Sequence, residues 1–173
     1  EANMELLDLV PDFNLYEEYW KIYTNSAILP PQYLGENASV EKSIIGNGTE
    51  IYGDVKHSVI SAGVTIGKGS VVRDSIIMQD VEIGEGCVIE KAIIAEHVKI
   101  GDNVTVGIGA DIPNKVKPNI YASGIATIGE NSVIPSGVTI GKNTAVSGVT
   151  VKEDYVNGLL DSGEFLVKAG DRA

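Results

Sequence analysis

The sequence predicts an all-β solenoid, a hexapeptide-repeat prism of short strands wound in flat-sided coils. Three observations predict it. Branched aliphatic residues recur at a nearly fixed interval from Val40 to Val106, longer blocks repeat 17 residues apart, and glycine is abundant (20 residues) while aromatics make up only 6%. The aliphatic series is Val40, Ile45, Ile51, Val55, Ile60, Ile66, Val72, Ile77, Ile83, Ile89, Ile94, Ile100 and Val106, with gaps of 5, 6, 4, 5, 6, 6, 5, 6, 6, 5, 6 and 6. The blocks beginning at Val55, Val72 and Ile89 overlay at 17 residues, as do Val64-Thr65-Ile66-Gly67, Val81-Glu82-Ile83-Gly84 and Val98-Lys99-Ile100-Gly101. Self-similarity of this length means that no unit buries its apolar face alone and that neighbours stack.

Each hexad follows from the strand's period of two, which sends alternate side chains to opposite faces. A Gly, Asp, Asn or Glu at the next corner then tolerates the turn. Three flat sides close a triangular coil, and four coils fit between residues 37 and 106. These Gly-rich hexads resemble the left-handed parallel β-helix family. The left hand is what the resemblance implies, as an exception to the right-handed crossover rule.

Composition excludes several function classes. A net charge of −11 argues against nucleic acid or an anionic membrane as principal partner, because both select clustered cations. A single cysteine excludes an internal disulfide, and no signal peptide or 18-residue apolar span occurs, so a cytoplasmic address is expected. The opening at Glu1 without Met reads as the cut end of a longer gene product.

Residues 1–10 read as a short helix with Met4, Leu7 and Val10 on one face, stopped by Pro11. Residues 11–36 hold most of the aromatics (Phe13, Tyr16, Tyr19, Trp20, Tyr23, Tyr33) and the stiff pair Pro30-Pro31, and read as a strap against the prism or against another domain. The order Glu1-Ala2-Asn3-Met4, then Asn14-Leu15-Tyr16-Glu17-Glu18-Tyr19-Trp20-Lys21-Ile22-Tyr23-Thr24, then Leu29-Pro30-Pro31 resembles the interdomain junction of bacterial glucose-1-phosphate adenylyltransferases. The resemblance continues through Ser43-Ile44-Ile45-Gly46, Ser58-Val59-Ile60 and Ser75-Ile76-Ile77-Met78, covering about residues 1–106. It implies that residues 1–36 end a catalytic domain and form the strap, and that residues 37–106 are coils of a C-terminal β-helix serving assembly and regulation. It further implies that ATP and Mg²⁺ are used by the parent enzyme and not by this chain, which holds no catalytic residue. The implied partners are the protein's own N-terminal catalytic domain, further like or paralogous subunits, and an anionic sugar-phosphate effector.

The period breaks over residues 107–123, whose Pro113 and Pro118 suit no ladder, so a protruding loop is expected there. It resumes at Ile128, Ile134, Ile140 and Val146, giving one more coil over residues 124–151. Residues 152–173, with strand-like Phe165-Leu166-Val167, read as a cap on the last open edge.

Few side chains are candidates for chemistry. The overlay puts Lys42, His57, Asp74 and Lys91 in one corner column beside Glu41, Lys56, Arg73 and Glu90, so His57 reads as one member of a solvated charge ladder. Lys56, Arg73 and Lys91 are the cations best placed for an anionic effector, with His97 as a further candidate. Some bacterial members of the resembled family carry arginine where Glu96 stands, so the effector or its binding mode differs here. His97 is also the only candidate base for a rival reading, a trimeric acyl-CoA-dependent transferase. A second rival is a regulatory subunit without catalysis. Cys87 shares its slot with Ser70 and Val104 and reads as a buried, inert thiol. No Cys/His spacing marks a metal site. Gly63-Val64-Thr65-Ile66-Gly67-Lys68 and Gly137-Val138-Thr139-Ile140-Gly141-Lys142 fall one residue short of a phosphate-binding loop and lack its Ser or Thr after the lysine.

Overall fold

The computed structural model describes residues 2–12, 18–19 and 28–168. The expected strap residues Phe13, Tyr16, Trp20 and Tyr23 lie outside the described residues. At the N-terminus the helix is a single turn, Ala2–Glu5, after which Leu7 is buried and Val10 is exposed.

From Tyr33 onward the chain winds into three parallel sheets. Sheet A contains Tyr33–Leu34, Glu50–Ile51, Thr65–Ile66, Glu82–Ile83, Lys99–Ile100 and Val133–Ile134. Sheet B contains Ser39–Glu41, Asp54–Lys56, Val71–Arg73, Val88–Glu90, Thr105–Val106, Thr139–Ile140 and Leu159–Leu160. Sheet C contains Ile44–Ile45, Val59–Ile60, Ile76–Ile77, Ala92–Ile94, Ala126–Ile128, Ala145–Ser147 and Phe165–Val167. Successive strands in sequence go to successive sheets, so each coil visits A, B and C once.

Register turns the aliphatic series into three inward ladders. Ile51, Ile66, Ile83, Ile100 and Ile134 stack on sheet A. Val40, Val55, Val72, Ile89, Val106, Ile140 and Leu160 stack on sheet B. Ile45, Ile60, Ile77, Ile94, Ile128, Val146 and Leu166 stack on sheet C. These residues form one continuous core in which only the end members Val40, Ile45 and Leu166 are partly exposed. The tail supplies the last rungs of B and C, and Tyr155 joins the core with its hydroxyl 2.9 Å from Thr150 Oγ1.

The corners are columns of left-handed backbone. Lys42, His57, Asp74 and Lys91, between sheets B and C, have φ of 45°, 47°, 48° and 46°. A non-glycine residue there costs about 1 kcal/mol, and a serine column offsets it. Ser43, Ser58 and Ser75 each donate to the carbonyl two residues back, and each hydroxyl accepts the amide of Ser58, Ser75 or Ala92 in the next coil. Ala92 has no hydroxyl to pass on, so the column ends there. In the following coil this same corner is replaced by residues 107–125.

That excursion begins at Gly107, where φ is 83° and any Cβ would run into the Glu90 carbonyl oxygen. It turns back along its own prism and is fastened there by two buried asparagines. Asn143 donates to Asp111 Oδ1 at 2.7 Å and to the Ile112 carbonyl at 2.9 Å, and accepts from the Gly124 amide at 2.7 Å. Asn114 donates to the carbonyls of Asn143 and Glu164 while its Oδ1 accepts from the amides of Val116 and Lys117.

Candidate functional site

The edge shared by sheets B and C carries three of the four expected effector residues. Register places Glu41, Lys56, Arg73 and Glu90 in one outward row of sheet B, and the left-handed corner sets Lys42, His57, Asp74 and Lys91 beside it. Lys56 Nζ pairs with Glu41 Oε2 at 2.8 Å, and His57 Nδ1 meets Asp74 Oδ1 at 2.6 Å. Arg73 and Lys91 are exposed and form no ion pair among the described residues. The edge therefore offers two unpaired cations and one exchangeable one, in a row that also holds carboxylates. Such a row suits weak binding of an anion with several acceptor oxygens.

His97 is not part of this group. It occupies the corner between sheets C and A, with φ of 57°, in the column of Gly48, Gly63, Asp80 and Asn131. Its Nδ1 lies 3.7 Å from Asp80 Oδ2, and about half of the side chain is exposed (51%). Grouping it with Lys56, Arg73 and Lys91 fails because neighbours in sequence at a coil boundary sit on different edges of a triangular prism. For the same reason His97 is not beside residues 107–125, which leave from the B–C corner.

Cys87 is fully buried, and burial pushes its thiol above the ordinary range. It repeats the role of Ser70 one coil earlier: Ser70 Oγ donates to the Gly84 carbonyl at 2.7 Å, and Cys87 Sγ donates to that of Gly101 at 3.1 Å. Among the described residues no group of three His, Cys, Asp or Glu could hold a metal ion. The residues present therefore do not fit Mg²⁺, and no step through that ion is assigned to them. No helix among them is long and apolar enough to cross a membrane.

Two outward features were not anticipated from the sequence. Tyr33 and Tyr52 lie with ring centroids 5.8 Å apart beside a concavity of about 460 Å³, and Gly35 leaves room for the Tyr52 ring. The Tyr52 hydroxyl donates to Glu50 at 2.9 Å, which holds the phenol above its usual range. The second feature is the outer row of sheet C, in which Ile44, Val59, Ile76 and Ile93 stack in register. The doublets Ile44-Ile45, Val59-Ile60, Ile76-Ile77 and Ile93-Ile94 signal it, since only one residue of each pair can point inward.

Three parallel sheets, one strand of each per coil, and hexads closing on left-handed corners define a left-handed parallel β-helix of the hexapeptide-repeat class. The chain belongs to the GlmU-like, C-terminal hexapeptide family, whose model matches residues 25–128. It is 60% identical over 171 residues to a glucose-1-phosphate adenylyltransferase of Lachnospira eligens, an alignment covering 99% of this chain and 40% of that protein. Proteins of the same name from Acetivibrio thermocellus (44% over 171 residues) and Thermotoga neapolitana (55% over 168 residues) cover 99% and 96% of this chain and 40% of their own lengths. The chain thus spans about two fifths of the length of these curated relatives.

Proposed function

We propose that this chain is the C-terminal assembly and regulatory domain of a cytoplasmic nucleotidyltransferase. The whole enzyme would make ADP-glucose and pyrophosphate from ATP and glucose 1-phosphate with Mg²⁺, for glycogen synthesis. The observation that carries this reading is an alignment over 99% of the chain, at 60% identity, to a glucose-1-phosphate adenylyltransferase. The described residues support the division of labour, because none forms a metal-binding cluster and the two near-miss phosphate loops are ordinary hexad corners. ATP, Mg²⁺ and catalysis then belong to the rest of the enzyme.

Arg73 and Lys91, with Lys56 able to leave Glu41, are the residues proposed to receive an anionic sugar phosphate. His97, on a different edge, would reach that ligand only if a partner subunit brought the two edges together. The test is ADP-glucose formation from ATP and glucose 1-phosphate by the longer polypeptide, with and without added sugar phosphate. Turnover by that polypeptide, none by the 173-residue chain, and loss of the sugar-phosphate response in Arg73→Ala are expected. A longer polypeptide that forms no ADP-glucose would overturn the proposal.

A further inference from the structure

The three outer faces of the prism differ in a way that the fold alone does not require. In register, the outer row of sheet A reads Tyr33, Glu50, Thr65, Glu82, Lys99 and Val133, with Lys99 paired to Glu82 at 3.0 Å. Sheet B has Asp54, Val71, Val88, Thr105 and Thr139 beside its charged row. Sheet C has Ile44, Val59, Ile76 and Ile93, flanked by Ser61, Met78 and Ala95, and this strip carries no charge in a chain with 37 Asp, Glu, Lys and Arg. All seven are partly exposed. In the coils beyond, the row becomes Thr127 and then Ala145, so its aliphatic part occupies only the first four coils.

Where the chain enters the prism bears on what covers this strip. The Gly48 amide donates to the Pro30 carbonyl at 2.6 Å, and Leu29 packs over Gly48. Gly48 lies on the corner between sheets C and A, so the preceding polypeptide is delivered to the border of sheet C, at its aliphatic end. The relatives extend well beyond the region matched here, which covers 40% of their length.

We infer that the aliphatic strip Ile44, Val59, Ile76 and Ile93 is the docking face for the part of the protein that precedes this region. The inference rests on the reading that the chain is one domain of a longer nucleotidyltransferase. A second copy of the chain fits the strip less well. Four rungs spaced about 4.8 Å apart make a row roughly 15–20 Å long and one or two side chains wide, well below the ~800 Å² per partner of a stable dimer. A tethered domain needs less area, because the linker supplies a high effective concentration. The uncharged strip between two charged corners then sets the register of docking, and water exclusion from it contributes the affinity.

Single cysteines test this directly, because the native Cys87 is fully buried and stays silent. Ile76→Cys and Ile93→Cys probe sheet C, Glu82→Cys probes sheet A and Val88→Cys probes sheet B. Alkylation by iodoacetamide is timed in the 173-residue chain, and in the same chain preceded by the N-terminal region of the Lachnospira relative. The expected result is alkylation slowed about tenfold or more at positions 76 and 93 in the longer protein only, with positions 82 and 88 unchanged. Unchanged rates at 76 and 93, or slowing on sheet A or B instead, overturn the inference. Slowing in the short chain that deepens as its concentration rises also overturns it, by making a second copy the occupant. The readout is independent of catalysis, so a longer protein that is protected at 76 and 93 but makes no ADP-glucose refutes the functional reading and leaves this one standing.

Discussion

The first four coils and the 107–125 excursion are held by opposite means. In the coils every inward position is aliphatic and every rung repeats the one below, so the structure is redundant and its register is set by the 17-residue period. The excursion has no repeat, and it exposes Ile108, Ile112, Val116 and Ile120. It is held in place by Asn143 and Asn114, whose partners lie up to 50 residues away. A solenoid can thus carry an irregular insertion where a few buried polar groups are fully satisfied. The difference also separates two kinds of vulnerability, a large loss spread through the ladder and a smaller one confined to the clasp.

Truncation in the ladder should have the largest effect. Ile89 is fully buried between Val72 and Val106, and Ile89→Ala is expected to cost about 3–5 kcal/mol in urea unfolding followed by circular dichroism. Next comes the clasp. Asn143→Ala strands the Gly124 amide and frees Asp111, for about 2–3 kcal/mol. Limited proteolysis should then cut within residues 107–125 while the strands of coils one to four stay intact. Equal cleavage of wild type and variant would remove the clasp from the account of the loop.

Cys87→Ser sharpens the contrast, because the same slot already works with serine at Ser70. The change should cost less than about 1 kcal/mol, since the hydroxyl can donate to the Gly101 carbonyl as Ser70 does to Gly84. It should also alter the alkaline response. The folded thiol titrates above the unfolded one, so its contribution is fully present below about pH 8.5. As pH rises from there through the folded value, the unfolded chain loses its proton first and stability falls. Unfolding curves at pH 8 and pH 10 should show that fall in wild type and a smaller one in Cys87→Ser. The smallest effect belongs to the surface. Lys56→Ala removes an ion pair whose side chains are 57% and 65% exposed, and should change stability by less than about 0.5 kcal/mol.

Much of the prism is legible in the sequence because one offset fixes everything that repeats. The pairings Val55 with Val72 and Lys56 with Arg73 follow from overlaying blocks, and so does the corner column from Lys42 to Lys91. Cys87 is legible for the same reason, through its slot. What does not repeat was harder to read. Pro113 and Pro118 signal departure from the ladder, but nothing local says that Asn114 reaches Asn143 and Glu164. His97 was grouped with the cations of another edge because closeness along the chain says little about which corner of a triangle a residue occupies. The aliphatic strip on sheet C was present in four doublets, yet a reading that seeks one inward residue per hexad passes over the other.

The role of the prism as an assembly domain is tested most directly by sedimentation of the longer polypeptide with and without residues 30–168. An oligomer that falls to monomers when those residues are removed is the expected result. An oligomer of unchanged size would contradict it and move the subunit contacts to the rest of the protein.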